Sequence, residues 1–147
     1  MNQAQAGVDT VLLAPVGQTD GSTRTASLDT INSGLTGRAG HITIRVLCNA
    51  EETTHAANST LSLLHSDDTV VTNHVTMVAD QSLDLTAAKE VRYELDARKL
   101  KRYLRLTCTA GTTTGGNITV AAVATMSRCE EGPESTTEMG DDTVVIF

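Results

Sequence analysis

Four histidines, His41, His55, His65 and His74, are the residues best equipped for metal binding or acid–base work at neutral pH. Their spacings give no HxH, HxxxH or HExxH pairing, so a metal site would depend on the fold bringing distant residues together. They read as surface or strand-edge histidines. Three cysteines, Cys48, Cys108 and Cys129, show no CxxC spacing and read as small buried hydrophobes or free thiols. Asp67-Asp68 and Asp141-Asp142 lack the ligand spacing of a calcium loop. The GTTTGGN run (111–117) is glycine-rich, but no Lys-Ser/Thr follows it and it leads into a strand-like segment rather than a helix. It reads as a long hairpin loop. No GxSxG, SxxK or HExxH motif marks a nucleophile or a metalloprotease. The chain is therefore expected to be non-enzymatic, with no catalytic residue, metal or cofactor.

Charge is the more informative chemistry. Six acidic residues, Glu130, Glu131, Glu134, Glu138, Asp141 and Asp142, fall in 130–142 with no Lys or Arg among them. They account for most of the net charge of −7, and the remainder of the chain is close to neutral. Residues 128–142 have the composition of a linker and, taken alone, of a disordered one. They end in TVVIF (143–147), a dense β-forming pentapeptide. Two readings follow. An acidic arm carries Val144, Val145, Ile146 and Phe147 to the sheet edge of a partner, or the pentapeptide folds back as an edge strand of its own domain. Opposite in sign, Arg92, Arg98, Lys99, Lys101, Arg102 and Arg105 fall within 14 residues. They form either a solvated face with weak ion pairs or a docking patch for an acidic surface, for which the acidic arm of a neighbouring copy is a natural candidate.

The elements that position these groups are strands. HITIRVL (41–47) puts Ile42, Ile44 and Val46 on one face and Thr43 and Arg45 on the other. EVRYELD (90–96) sends Val91, Tyr93 and Leu95 inward and Arg92, Glu94 and Asp96 outward, and in RYLRLTC (102–108) Leu104, Leu106 and Cys108 share a face. Further strands are expected at 8–13, 24–30, 59–65, 69–78, 117–126 and 143–147. Turn-forming breaks separate them at 17–22, 33–40, 49–59, 65–68 and 111–117. The stretch 84–106 is rich in helix formers, but its alternation favours strand–turn–strand, with room for one helical turn in DARKLK. In 117–126 neither face carries a charge: Thr119, Ala121, Val123 and Thr125 lie opposite the apolar face. That strand is either central and covered on both sides or has one face against a neighbouring subunit.

These signals give an all-β fold, an antiparallel β-sandwich of jelly-roll-like form with eight or nine short strands. The expected division is a sandwich domain over 1–128, with residues 1–7 as an N-terminal arm, and the acidic C-terminal arm over 129–147. Aromatics are only 2% of the chain, so the core rests on aliphatic residues and association with other subunits would bury more. The N-terminus lacks the basic and apolar regions of a secretory signal, which places the protein on the cytosolic side of its producing cell. No apolar run is long enough to span a bilayer, and net acidity argues against nucleic acid as the main partner.

The order VDTVLLAP (8–15), TASLDT (25–30), HITIRVL (41–47), STLSLLHSDDT (59–69), KEVRYELDARKLKRYLRLTCTAG (89–111) and VAAVATMSR (120–128) resembles small structural proteins of tailed bacteriophages, namely capsid decoration or cement proteins. The resemblance covers roughly residues 8–128 and leaves out the tail. It implies a virion protein assembled in the host cytoplasm that binds the outside of the major capsid protein shell and stabilises it. Its partners would be the major capsid protein and copies of itself, as dimer or trimer, with neither nucleic acid nor membrane. The alternative is a receptor- or glycan-binding head-fibre or tail-associated module, for which Tyr103 beside Arg105 is the residue to inspect.

Overall fold

The computed structural model describes residues 8–19, 21–31, 39–49, 59–69, 73–83, 87–111 and 118–127, and the backbone of 143–146. His55, Cys129, the acidic residues of 130–142, Phe147 and residues 1–7 lie outside the described residues.

Nine strands are described: β1 (Val8–Gln18), β2 (Thr23–Asp29), β3 (His41–Cys48), β4 (Ser59–Ser66), β5 (Val75–Leu83), β6 (Lys89–Asp96), β7 (Tyr103–Thr109), β8 (Ile118–Ser127) and β9 (Thr143–Ile146). One sheet has the order β1-β8-β3-β6-β9 and the other β2-β7-β4-β5. The first eight strands pair antiparallel as a nested hairpin, with β4 on β5, β3 on β6, β2 on β7 and β1 on β8. That hairpin rolls up so that β8 also pairs β3 and β7 also pairs β4. This is the jelly roll the alternation predicted. β9 adds to β6 in parallel, opposite Val91 to Glu94, so residues 143–146 pair with their own chain.

The core lies between the sheets, where alternate residues of each strand point inward. Ile42, Ile44 and Val46 of β3, Val91, Tyr93 and Leu95 of β6, Leu104, Leu106 and Cys108 of β7, and Ile118 to Met126 of β8 in alternation are all buried. Among the described residues Tyr93 is the one aromatic in this aliphatic core. Its hydroxyl donates to Gln81 Oε1 at 2.8 Å, tying β6 of one sheet to β5 of the other.

Two strands depart from the sequence reading. The strand expected at 69–78 is Val75–Leu83. Thr69 and Val70 have β propensity, but Thr69 lies in a bend and Asn73 in a turn. The true strand hides its alternation behind a bulge at Asp80, the described non-glycine residue with positive φ (44°). The strand expected at 8–13 runs on to Gln18 past Pro15 and Gly17. It is an edge strand with register shifts between Val11 and Leu13 and between Leu13 and Val16, so Pro15 need not donate to the ladder. Arg24 of β2 closes over this irregular stretch, donating to Ala14 O at 2.8 Å and Val120 O at 3.2 Å. Between β1 and β2 the turn needs Gly21 at φ +66°, a left-handed conformation costly for any residue with a Cβ. The link between β6 and β7 is a single 3-10 turn, Ala97–Lys99, capped by the Asp96 side chain.

Candidate interaction surfaces

The register of the β1-β8-β3-β6-β9 sheet fixes what its outer face presents. One row across β1, β8, β3 and β6 reads Asp9, Thr125, Thr43, Glu94. The next reads Val11, Val123, Arg45, Arg92, and a third reads Ala121, Leu47, Glu90 across β8, β3 and β6. The β1–β8–β3 side of this face is therefore mostly uncharged, and Val11 (64% exposed) and Leu47 (46%) stand out from it. The outer residues of β8 are half-buried between their neighbours. Of the two readings of 117–126, the strand is central in its sheet with only its inner face buried. The outward phase of Leu47 follows from the alternation of 41–47, so its place on this surface was open to sequence reasoning. That of Val11 rests on the pairing of β1 with β8.

The β6 side of the same face is polar. Arg45 Nε and Nη2 both reach Glu90 Oε1 at 2.6 Å. Glu94 was expected outward and does lie on the outer face, yet it is only 3% exposed. The His41 ring pairs with its Oε2, the Thr43 hydroxyl donates to the same oxygen at 2.8 Å, and Arg92 Nε stands 3.4 Å from Oε1. A carboxylate can be buried at tolerable cost when several donors face it. No sequence signal marks this cluster, because His41 and Glu94 are 53 positions apart and meet only through the pairing of β3 with β6.

The six basic residues do not share one face. Arg92 is on β6, Arg102 and Arg105 belong to β7 and its approach, and Arg98, Lys99 and Lys101 lie in or beside the connecting turn. Most are engaged within the chain. Arg102 makes a two-pronged bond to Asp29 at 3.0 and 2.8 Å, which raises its pKa further. Arg98 grips Asp96 at 2.9 Å, and chiefly this hydrogen bond holds the Asp96 carboxyl down at about 2. Lys101 Nζ lies 3.2 Å from Asp67, and Arg105 donates to Thr69 O at 3.4 Å. Lys99, 4.0 Å from Asp96, is the most exposed of the paired bases.

A groove of about 400 Å³ runs between β5 and the 3-10 turn, lined by His65, Val75, Met77, Asp96, Lys99 and Leu100. The Lys101 backbone N–H donates to His65 Nδ1 at 3.0 Å. Burial, reinforced by the Lys101 charge, lowers the His65 pKa, so the ring is neutral at pH 7 with its proton on Nε2. Cys48 and Cys108 are buried free thiols. Burial pushes Cys48 up to about 12, with Cys108 adding to the rise, and Cys108 up to about 11 against the pull of Arg24. Among the described residues no group of three or more His, Cys, Asp or Glu gathers at a possible metal position.

No family model matches the chain, and no curated protein matches it. Solved structures share its general shape. The structure of infectious bursal disease virus Gt strain superposes with a TM-score of 0.44 at 10% identity, over 84% of this chain and 33% of that one. Tobacco streak virus coat protein gives a TM-score of 0.33 at 12% identity, over 92% of this chain and 96% of that one. Dimeric latent PorU from Porphyromonas gingivalis gives 0.41 at 15% identity, over 84% and 13%. The chain spans about a third of the length of the two bursal disease virus chains it matches. At these scores the likenesses concern shape and carry no functional argument.

Proposed function

We propose that the chain is a virion structural protein that binds the outer surface of a shell of major capsid protein and stabilises it, as a decoration or cement protein. The observation that carries the reading is the outer face of β1, β8 and β3. There Val11, Val123, Ala121 and Leu47 make an apolar, largely uncharged surface on one sheet, the kind of surface that marks protein contact sites. Its mechanism is adhesion over area. Each copy buries aliphatic groups against the shell, and contact with several shell subunits multiplies modest affinities. Jelly rolls serve in capsid and lectin domains alike, so the role is argued from this surface.

The acidic segment 130–142 and the terminal strand extend the reading to contacts between subunits, with Arg98 and Lys99 as the basic residues best exposed to receive acidic groups. A glycan-binding role fits less well. Tyr103 would be its stacking platform, but the Arg102 guanidinium lies 5.0 Å from the ring centroid and is itself held by Asp29.

The test is to place charge on the outer face without touching the core. Val11→Asp and Leu47→Glu are expected to keep the wild-type melting temperature to within about 2–3 °C, as changes at exposed positions do, and to lose co-sedimentation with shells lacking the protein. Undiminished binding by both variants would remove this face from the mechanism.

A further inference from the structure

We infer that β9 is an exchangeable strand, and that the edge of β6 in one copy receives β9 from a second copy of this chain. The inference rests on the assembly reading above, because exchange needs copies held close together. Three observations lead to it.

First, the pairing is short and parallel. Four residue pairs, Val91 with Thr143 through Glu94 with Ile146, hold the strand to β6. Parallel ladders are slightly weaker per residue than antiparallel ones.

Second, the connection is much longer than the straight-line gap between the strands it joins. β8 ends at Ser127 beside His41, which pairs with Asp96 at the far end of β6, whereas β9 begins opposite Val91. Five residues back along β6 and three strand spacings place these two ends roughly 22 Å apart, at about 3.3 Å per residue and about 4.8 Å per strand. Sixteen peptide steps separate Ser127 from Thr143, enough to span about 55 Å when extended.

Third, β6 offers every copy the same edge, so a strand delivered by a neighbour makes the same ladder bonds as the chain's own. The two arrangements then differ mainly in the entropy of closing the connection. Where copies stand side by side on a surface, the effective concentration of a neighbour's strand rises towards that of a tethered one. Identical contacts made within or between chains are the usual route to exchanged oligomers.

The register supplies the test. Arg92 and Val144 are register partners in the β6–β9 pair. In a Cys129→Ser background, with Cys48 and Cys108 buried, one chain carries Arg92→Cys and a differently tagged chain carries Val144→Cys. The two are mixed at high concentration and oxidised mildly. A third chain with both substitutions reports closure within one molecule. The expected result is a disulfide-linked heterodimer in the mixture, mapped to positions 92 and 144. It should rise with concentration and be absent when the Cys129→Ser chain without either new cysteine replaces either partner. Closure within the double variant, together with no heterodimer at any concentration, would overturn the exchange. A double variant that closes neither within nor between chains would overturn the β6–β9 register on which the inference stands. Shell binding is scored separately by co-sedimentation. A protein that binds shells without cross-linking loses only the exchange, and one that cross-links without binding shells loses only the shell reading.

Discussion

At the scale of single residues, the molecule places a few polar groups where an aliphatic sandwich needs them. The Tyr93 hydroxyl and Gln81 form one such link between the sheets. Tyr93→Phe keeps the ring and removes the bond, and is expected to cost about 1 kcal/mol, read as a lower urea midpoint with an unchanged slope. An unchanged midpoint would mean that water replaces the bond at no cost. The thiols set a pH dependence. In the unfolded chain each ionises near its ordinary value of 9.0, but in the fold only at about 12 for Cys48 and about 11 for Cys108. Between those values the folded chain holds protons that the unfolded one releases. Stability is therefore fully present below pH 9 and falls as pH rises, by up to roughly 1.4 kcal/mol per thiol per pH unit. Burial raises the Tyr93 phenol in the same direction. Urea midpoints at pH 8.5 and 10.5 should show the fall, and a Cys48→Ala/Cys108→Ala variant, though less stable overall, should show a smaller one. An equally steep fall in that variant would remove the thiols from the account. The inward phase of Cys108 was legible in the alternation of 102–108, whereas Glu94 reads as solvated in sequence and is buried only because His41, Thr43 and Arg92 converge on it.

At the scale of elements, strands with an unbroken period of two were legible to within a residue or two, β3, β6, β7 and β8 among them. Those interrupted by bulges were not. β5 is the instructive case. Asp80 sits at φ 44°, its N–H donates to Ser62 Oγ at 3.0 Å, and the Ser62 hydroxyl donates back to its carboxylate at 3.0 Å. The bulge resets the facing of the strand, so the pattern on one side of it does not continue on the other. It also bends an exposed edge away from pairing with strangers. Asp80→Val combines a β-branched residue in the left-handed region with the loss of the Ser62 bond to the carboxylate, and should cost about 2 kcal/mol or more. Asp80→Gly loses the side-chain bond but relieves the backbone, and should cost less. Equal losses in thermal melts of the two variants would show that backbone conformation does not matter there.

At the scale of the whole molecule, fold class and strand number could be read from the chain, because alternation and turn chemistry act locally. The order of the strands could not, since nothing local states that β8 lies between β1 and β3. That order assembles Val11, Val123, Ala121 and Leu47 into one surface and divides the basic stretch 92–105 between two sheets and a turn. It also sets β9 against β6, where the sequence left pairing within the chain or with a neighbour equally open. The proposed function is binding of this sandwich to a shell. The most direct measurement is a binding titration of the purified protein onto capsid shells that lack it, followed by heating the saturated particles. Saturation at a fixed number of copies per shell, with genome release moved to higher temperature, is the predicted result. A monodisperse protein that never sediments with the shells, and leaves their release temperature unchanged, would contradict the account.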